Sequence, residues 1–478
     1  MHKILLAHAF FLNNDEKQIQ EKFKPYPPLA TLYAASQLRG YGNSVSLFDA
    51  SLSSGMDEFR QTFNALSPDI LVIYEDDFNF LTKMCLAHVR DATLEMIHIT
   101  KKAHTIVIVH SSDASDQPDV YLENGADYVI AGEADETLAE LVDALSEPQA
   151  DALPDGVIYR EKEQIIHCAK RSPQRNIDKL KPPAWDLVDF ENYRQSWTSR
   201  HGYFSVNLVS TRGCPYRCNW CAKPIWGQQY ATHSPNYVAD QIAYLHQHAE
   251  PDHIWFADDI FGLKKLWVKQ FAAAMDERKI KIPFTIQSRA DLIDDDVASN
   301  LAIAGCEEVW MGMESGSQTI LDRMDKDIQI ADARMATAAL RQNKIKVGFF
   351  IQLGYPGEDI PEIEQTRDLI LDILPDSIGV SVSYPLPGTS FYDKVKRQMS
   401  EKTHWQESND LDAVFNSTFR ADFYRKIRHH LHTELKATHA QHENKVDNKI
   451  EWDTKWRQLM SSADNFRTEA ETAIALIS

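Results

Sequence analysis

The chain has 478 residues, 43% of them apolar, and its 50 basic against 70 acidic side chains give a formal charge of -20. That length supplies more than one hydrophobic core, and the acidic balance repels a phosphate backbone, so no nucleic-acid partner is expected. Six cysteines, half of them in one cluster, form no disulfide framework; no apolar run reaches the ~18 residues that span a bilayer, and Met1-His-Lys-Ile-Leu-Leu6 reads as a strand rather than a leader, so the expected location is the cytoplasm.

Residues 1–145 alternate strand-like and helix-like segments in the manner of a doubly wound parallel α/β domain. The expected strands are Lys3–His8, Ser44–Phe48, Ile70–Tyr74, Thr105–Val109 and Asp127–Ala131. A helix over 27–39 begins at Pro27-Pro28 and stops at Gly40 and Gly42. Ligands of such domains bind at the carboxyl ends of the strands, which puts His8, Asp49, Asp76, His110, Ser111, Gly132 and Glu133 on the candidate rim. The third strand ends in Glu75-Asp-Asp77, an unfavourable neighbour for a nucleotide phosphate. His8 and His110 read as hydrogen-bonded wall residues.

Residues 146–195 read as a linker. The apolar run Tyr203–Ser210 then leads into Thr211-Arg-Gly-Cys-Pro-Tyr-Arg-Cys-Asn-Trp-Cys221, where Gly213 and Pro215 argue for a loop. Cys214, Cys218 and Cys221 supply three thiolates from one short segment. An iron–sulfur cubane usually takes four cysteines, so three leave one iron open for a ligand. Zinc is the competing reading, with His233 the nearest fourth ligand, and the protein would then be a zinc- or cluster-holding sensor of redox state or corrinoid rather than an enzyme. Cys85, Cys168 and Cys306 stand singly, as ordinary thiols.

Over 196–395 the alternation resumes. A helix from Ser234-Pro235 carries Val238, Ile242 and Leu245 on one face; His253–Ala257 is a strand ending in Asp258 and Asp259; Phe284–Arg289 follows; then come Glu308-Val-Trp-Met-Gly-Met-Glu-Ser-Gly-Ser317, Lys346–Gly354 with Tyr355-Pro-Gly-Glu358, and Ser383-Tyr-Pro-Leu-Pro-Gly-Thr389. Residues 396–478 are polar and helical, and His429, His430, His432, His439 and His442 read as a solvated helix face rather than a metal site.

The cysteine loop, with aromatic Trp220 before its third cysteine, resembles the signature of the radical S-adenosylmethionine (SAM) superfamily, and the later segments resemble that family's partial (β/α)6 barrel. Pro27-Pro28, Asp49, Asp127-Tyr-Val-Ile-Ala-Gly-Glu-Ala-Asp-Glu-Thr-Leu138 and Leu180-Lys-Pro-Pro-Ala-Trp-Asp-Leu187 resemble the cobalamin-binding domain and linker of its cobalamin-dependent members. The likeness covers residues 1 to 400.

The resemblance implies a flavodoxin-like, cobalamin-binding-type domain followed by the barrel and a helical tail. It also implies three cofactors: a 4Fe-4S cluster on Cys214, Cys218 and Cys221, SAM on its open iron, and cobalamin between the domains. Asp258 and Asp259 then correspond to the acidic second-strand motif that receives an ammonium, Arg289 to a partner for a carboxylate, Glu314 and Ser315 to the ribose side, and Gly354 to the loop beside adenine, while Asp49, Gly132 and Glu133 fall to the corrinoid.

One departure from the family stands out. Relatives carry paired glycines after the fourth strand, and this chain has His110-Ser-Ser-Asp-Ala-Ser115. The implied reaction is alkylation, most simply methylation, or rearrangement of an unactivated carbon in a small molecule, with cyclisation and corrinoid-free radical chemistry as the alternatives. The implied partner is an electron donor such as flavodoxin or ferredoxin.

Overall fold

The computed structural model describes residues 1–14, 23–79, 82, 87–101, 105–146, 152–223, 225–399, 414–444 and 449–468. Cys85 lies outside them, as does the side chain of His442. The chain divides into two compact units: Met1–Pro215 with Lys223–Asp259 and Ala274–Phe284, and Tyr216–Ala222 with Ile260–Ala273 and Thr285–Ser478.

The first unit is built on strands β1 (Lys3–Ala7), β2 (Ser44–Phe48), β3 (Ile70–Tyr74), β4 (Ile106–His110) and β5 (Tyr128–Ile130). All five are parallel, in the order β2-β1-β3-β4-β5, so the strand order reverses between β1 and β3. That reversal is where an open α/β sheet offers a crevice. Every residue of β3 is buried, as expected of a strand covered on both faces. The helix Leu29–Gly40 starts directly after Pro28, whose missing N–H costs nothing at a helix start.

An antiparallel hairpin, β6 (Val157–Glu161) and β7 (Gln164–His167), extends the sheet beyond β5. It lies within the segment read as linker. Its turn is built on polar residues, with Lys162 at φ 55°, so the usual Asn-Gly or Asp-Gly signal is missing from the sequence.

The same unit holds β8 (Ser205–Leu208) and, between it and the next long strand, a short antiparallel ladder of β9 (Thr211–Arg212) with β10 (Ala231–Thr232). Strand β11 (His253–Phe256) pairs parallel with β8. The helix Pro235–His248 connects them, capped by the Ser234 hydroxyl, which accepts from Tyr237 N, and it buries Val238, Ile242 and Leu245.

In the second unit β12 (Phe284–Ser288), β13 (Cys306–Glu314), β14 (Lys346–Leu353) and β15 (Ser377–Val382) run in the order β15-β14-β13-β12. The helices Asp295–Ala304, Ile330–Gln342 and Ile360–Ile373 alternate with them. Asp294 caps the first by accepting from Val297 N, and Gly305 closes it at φ 104°; the third opens with a capping box of Asp359 and Glu362. The register of β13 against β14 slips between Gly312 and Glu314, which re-aims the end of β13. The helices Ala421–Asn444 and Lys449–Ser461 follow.

Candidate functional site

The β9–β10 ladder pins both ends of the segment that carries the three cysteines, pairing Arg212 with Ala231 and Thr211 with Thr232. Gly213 then turns the chain at φ 74°, and a Cβ there would stand 2.3 Å from Gln229 O, so no other residue fits. Cys214, Cys218 and Cys221 are half-buried and free of disulfides. Among the described residues no three His, Cys, Asp or Glu side chains are gathered at metal-binding distance, so the cluster reading rests on donor set and spacing.

The surroundings of Cys218 suit an anionic iron–thiolate group. Arg289, at the end of β12, lies 3.7 Å over the Tyr216 ring, pairs with Asp291 at 2.9 Å and donates to the carbonyls of Lys326 and Asp327 at 2.8 Å. Lys326 Nζ stands 2.8 Å from Glu314 Oε1 and 5.8 Å from the Trp220 ring. Burial opposes the charge of both cations, yet both pKa values are raised: Glu314 and then Cys218 hold up Lys326, while Asp291, Tyr216 and Cys218 hold up Arg289. Two buried cations beside Cys218 complement the negative charge that an iron–thiolate group would carry. A 4Fe-4S cluster therefore fits the residues present.

Between the second and third cysteines Asn219 is held on every side. Its N donates to Met324 O at 3.0 Å and its carbonyl accepts from Phe391 N; its side chain donates to Arg323 O at 2.7 Å and Asp325 at 2.8 Å and accepts from Tyr355 OH at 2.8 Å. Neither Asn219 nor Lys326 stood out in the sequence. Each takes its meaning from partners remote in the chain.

The zinc alternative loses its fourth ligand. His233 is buried, with Nδ1 2.9 Å from Asp178, Nε2 3.5 Å from Tyr33 OH and its ring stacked on Tyr237 at 3.9 Å; burial pushes its pKa down to about 4. Cys306 is buried at the start of β13 and its thiol is raised by burial, while Cys168 is half-buried.

Asp258 accepts from Ser210 N at 2.8 Å, Ser210 Oγ at 2.5 Å and Thr211 N at 2.8 Å, and burial raises its pKa to about 7. Its carboxyl thus braces the backbone leading to the cysteine loop. Asp259 is exposed. Glu314 ends β13 at φ 59°, and a Cβ on Gly312 would meet Glu314 Oε1 at 2.7 Å and Lys326 Nζ at 2.8 Å, so the glycine admits the ion pair. Ser315 is buried, 3.2 Å from Thr366 Oγ1. The close approach that Gly316 permits is to the helix Ile360–Ile373, whose Gln365 O would lie 2.2 Å from a Cβ.

Gly354 sits at φ 75° and donates its N–H to Glu358 at 2.5 Å. Glu358 is fully buried, and burial raises its pKa to about 8 against the Gly354 bond that lowers it. A raised folded-state pKa makes this group stabilising below the ordinary carboxylate range, and that contribution is lost as pH rises towards 8. Glu358→Gln should therefore reduce the stability lost between pH 5 and pH 9 by roughly 2–4 kcal/mol, measured as urea midpoints of variant and wild type at both pH values. Equal losses in the two proteins would remove Glu358 from this account.

The carboxyl end of the first sheet is rich in buried ionisable groups. His8 Nε2 lies 3.0 Å from Asp49 and 3.0 Å from Ala50 N, and Asp49 also accepts from Tyr193 OH at 2.7 Å. Glu75 accepts from Ala9 N at 2.6 Å, Asp76 from Ala30 N at 3.0 Å, and His110 bridges Ile130 O at 2.9 Å and Asp77 at 2.8 Å. Burial raises Glu75 to about 7 and Asp76 to about 6. Ser111 caps the short helix Ser112–Asp116 by accepting from Ala114 N. Gly132 turns at φ 75° and donates to Ser115 Oγ at 3.3 Å; Glu133 pairs with Arg212 at 2.6 Å. Both histidines are wall residues, as the sequence suggests.

Residues 208–370 match the family model of the Radical SAM superfamily. The chain is similar to an uncharacterized methyltransferase of Pyrococcus horikoshii, 25% identical over 81% of this chain and 83% of that one, and to the anaerobic magnesium-protoporphyrin IX monomethyl ester cyclase of Synechocystis sp., 26% identical over 81% and 77%. In fold it is similar to the radical SAM methyltransferase TsrM of Kitasatospora setae solved with cobalamin and a 4Fe-4S cluster bound, at a TM-score of 0.65 and 17% identity over 79% of this chain and 71% of that one. Residues 208–370 thus carry a Radical SAM domain, which follows an N-terminal α/β domain. Within that class its relatives are methyltransferases and cyclases, and the family implies a 4Fe-4S cluster and SAM as cofactors.

Proposed function

We propose that the protein is a cobalamin-dependent radical SAM methyltransferase acting on an unactivated carbon of a small molecule. The observation that carries this reading is the union in one chain of a sheet ordered β2-β1-β3-β4-β5 with a three-cysteine loop flanked by Arg289 and Lys326. Cys214, Cys218 and Cys221 hold the cluster. The chemistry a bound cluster supplies is the electron that cleaves the SAM sulfonium to methionine and a 5'-deoxyadenosyl radical. Arg289 pairs with the SAM carboxylate and Glu314 accepts from the ribose hydroxyls, with Trp220, Ser315 and Gly354 shaping the same pocket and Asp258 and Asp259 the ammonium end.

Cobalamin passes a test of fit on two buried acceptors. Among the described residues Glu75 Oε2 and Asp77 Oδ1 have no hydrogen-bond partner, and they stand at the carboxyl end of β3, next to the strand-order reversal. Corrin side chains end in carboxamides, whose N–H donors such oxygens can accept. Asp49, Gly132 and Glu133 complete the rim; a Cβ on Gly132 would have its nearest atom 3.9 Å away, which leaves room beside the backbone.

Incubation with hydroxocobalamin, removal of free ligand and a spectrum test this: about one equivalent retained in the base-off form supports the reading, because no histidine-ligation motif is present. SAM cleaved to 5'-deoxyadenosine with no corrinoid retained overturns methyl transfer through cobalt. The likeness to the cyclase supports ring closure as the second reading, and product mass separates the two. The electron comes from a flavodoxin or ferredoxin, and the enzyme works in the cytoplasm; no described helix is long and apolar enough to cross a membrane.

A further inference from the structure

Two residues before the first cysteine, Arg212 is 3% exposed and lies between two carboxylates. Its Nη1 is 2.6 Å from Glu133 Oε1 and 2.6 Å from Asp135 Oδ2. The rings of Tyr33, Phe78 and Trp226 surround the guanidinium at 5.3, 5.6 and 5.9 Å. Glu133 and Asp135 belong to the turn after β5, 79 and 77 residues earlier in the chain, and Asp135 opens the helix Asp135–Ser146.

A buried ion triad is a poor source of stability. Removing three charges from water costs about what their attraction returns, so apolar residues of the same size would hold the two segments together as well. What the triad adds is direction. A guanidinium bound on one edge by two carboxylates and walled by three rings has one orientation, and its backbone is fixed again by the ladder with Ala231. The next residue is Gly213, held at φ 74° against Gln229 O, and after it comes Cys214. From Arg212 to the thiol the chain has little freedom left.

We propose that Arg212, Glu133 and Asp135 are positioning residues for the iron–sulfur cluster, fixing from the N-terminal domain the backbone on which Cys214 stands. This rests on reading the cysteine loop as the cluster site. Glu133, which the family resemblance assigns to the corrinoid rim, thereby acts on the cluster as well. The wild type, Glu133→Gln, Asp135→Asn, Arg212→Lys and Arg212→Met are reconstituted anaerobically as full chains. Iron content, the rate of iron loss to a chelator, the thermal midpoint and the electron paramagnetic resonance spectrum of the reduced cluster are recorded, the last with and without SAM.

The variants should load about four irons yet surrender them about 10- to 100-fold faster, the usual cost of losing a residue that orients a metal ligand, with Arg212→Lys closest to wild type. Their spectra should change on adding SAM less than that of the wild type. A lower thermal midpoint with iron retention and the SAM-induced change both as in wild type overturns the proposal, because a purely structural role predicts that pattern. If Arg212→Met does not fold, Glu133→Gln and Asp135→Asn decide. Wild type without iron and sulfide overturns the cluster reading together with this inference; a loaded wild type with unaffected variants overturns the inference alone.

Discussion

Cys214→Ala, Cys218→Ala and Cys221→Ala should each abolish the cluster, while Cys306→Ala should leave it intact. Anaerobically reconstituted wild type should bind about four irons and four sulfides per chain with broad charge-transfer absorption near ~400 nm. All three cysteines are half-buried, and the loop that carries them holds no fourth thiol to take the place of one, while two thiolates hold a cubane poorly. Cys306 is buried with its thiol disfavoured as the thiolate, which makes it a poor ligand. Stoichiometric zinc without sulfide in anaerobically purified protein would falsify the assignment. The geometry of His233 already opposes that outcome, since both of its ring nitrogens face protein partners.

The second large effect concerns Lys326 and Glu314. Both side chains are nearly inaccessible, 7% and 6% exposed, and they pair at 2.8 Å. Removing either partner leaves a buried charge uncompensated, so Lys326→Met and Glu314→Gln should each destabilise the protein by about 3–5 kcal/mol in denaturant titrations. The double variant Glu314→Met with Lys326→Met should recover most of that loss, because apolar residues of similar volume replace a buried pair at little cost. Stability and function then separate. If Glu314 accepts from SAM, the stable double variant should still bind it more weakly by about 1–3 kcal/mol, compared at equal iron loading. Wild-type affinity in the double variant would assign the pair to structure alone.

These tests divide along a line that runs through the molecule. The local elements and the candidate cluster ligands are legible in the sequence alone, because both are written within a few residues. A strand buried on both faces is a continuous apolar run, as in Ile70–Tyr74; a helix start is Ser234-Pro235; three thiolates within eight residues need no tertiary information to be recognised as a metal-binding set. The hairpin Val157–His167 escaped because a polar turn at Lys162 carries no glycine to mark it.

Which polar groups face each other was decided only in three dimensions. Asp258 reads in sequence as an acid at a strand end, and its bonds to Ser210 and Thr211, 48 and 47 residues away, appear only in the fold. Asn219 is an ordinary loop residue until Tyr355, 136 residues on, donates to it. Arg212 is one more basic residue before a cysteine until Glu133 and Asp135 close on it. The physical reason is common to all three. Apolar burial is non-directional and follows local periodicity, whereas a buried hydrogen bond or ion pair exists only when two distant segments bring complementary atoms within about 3 Å, and no local pattern encodes that meeting.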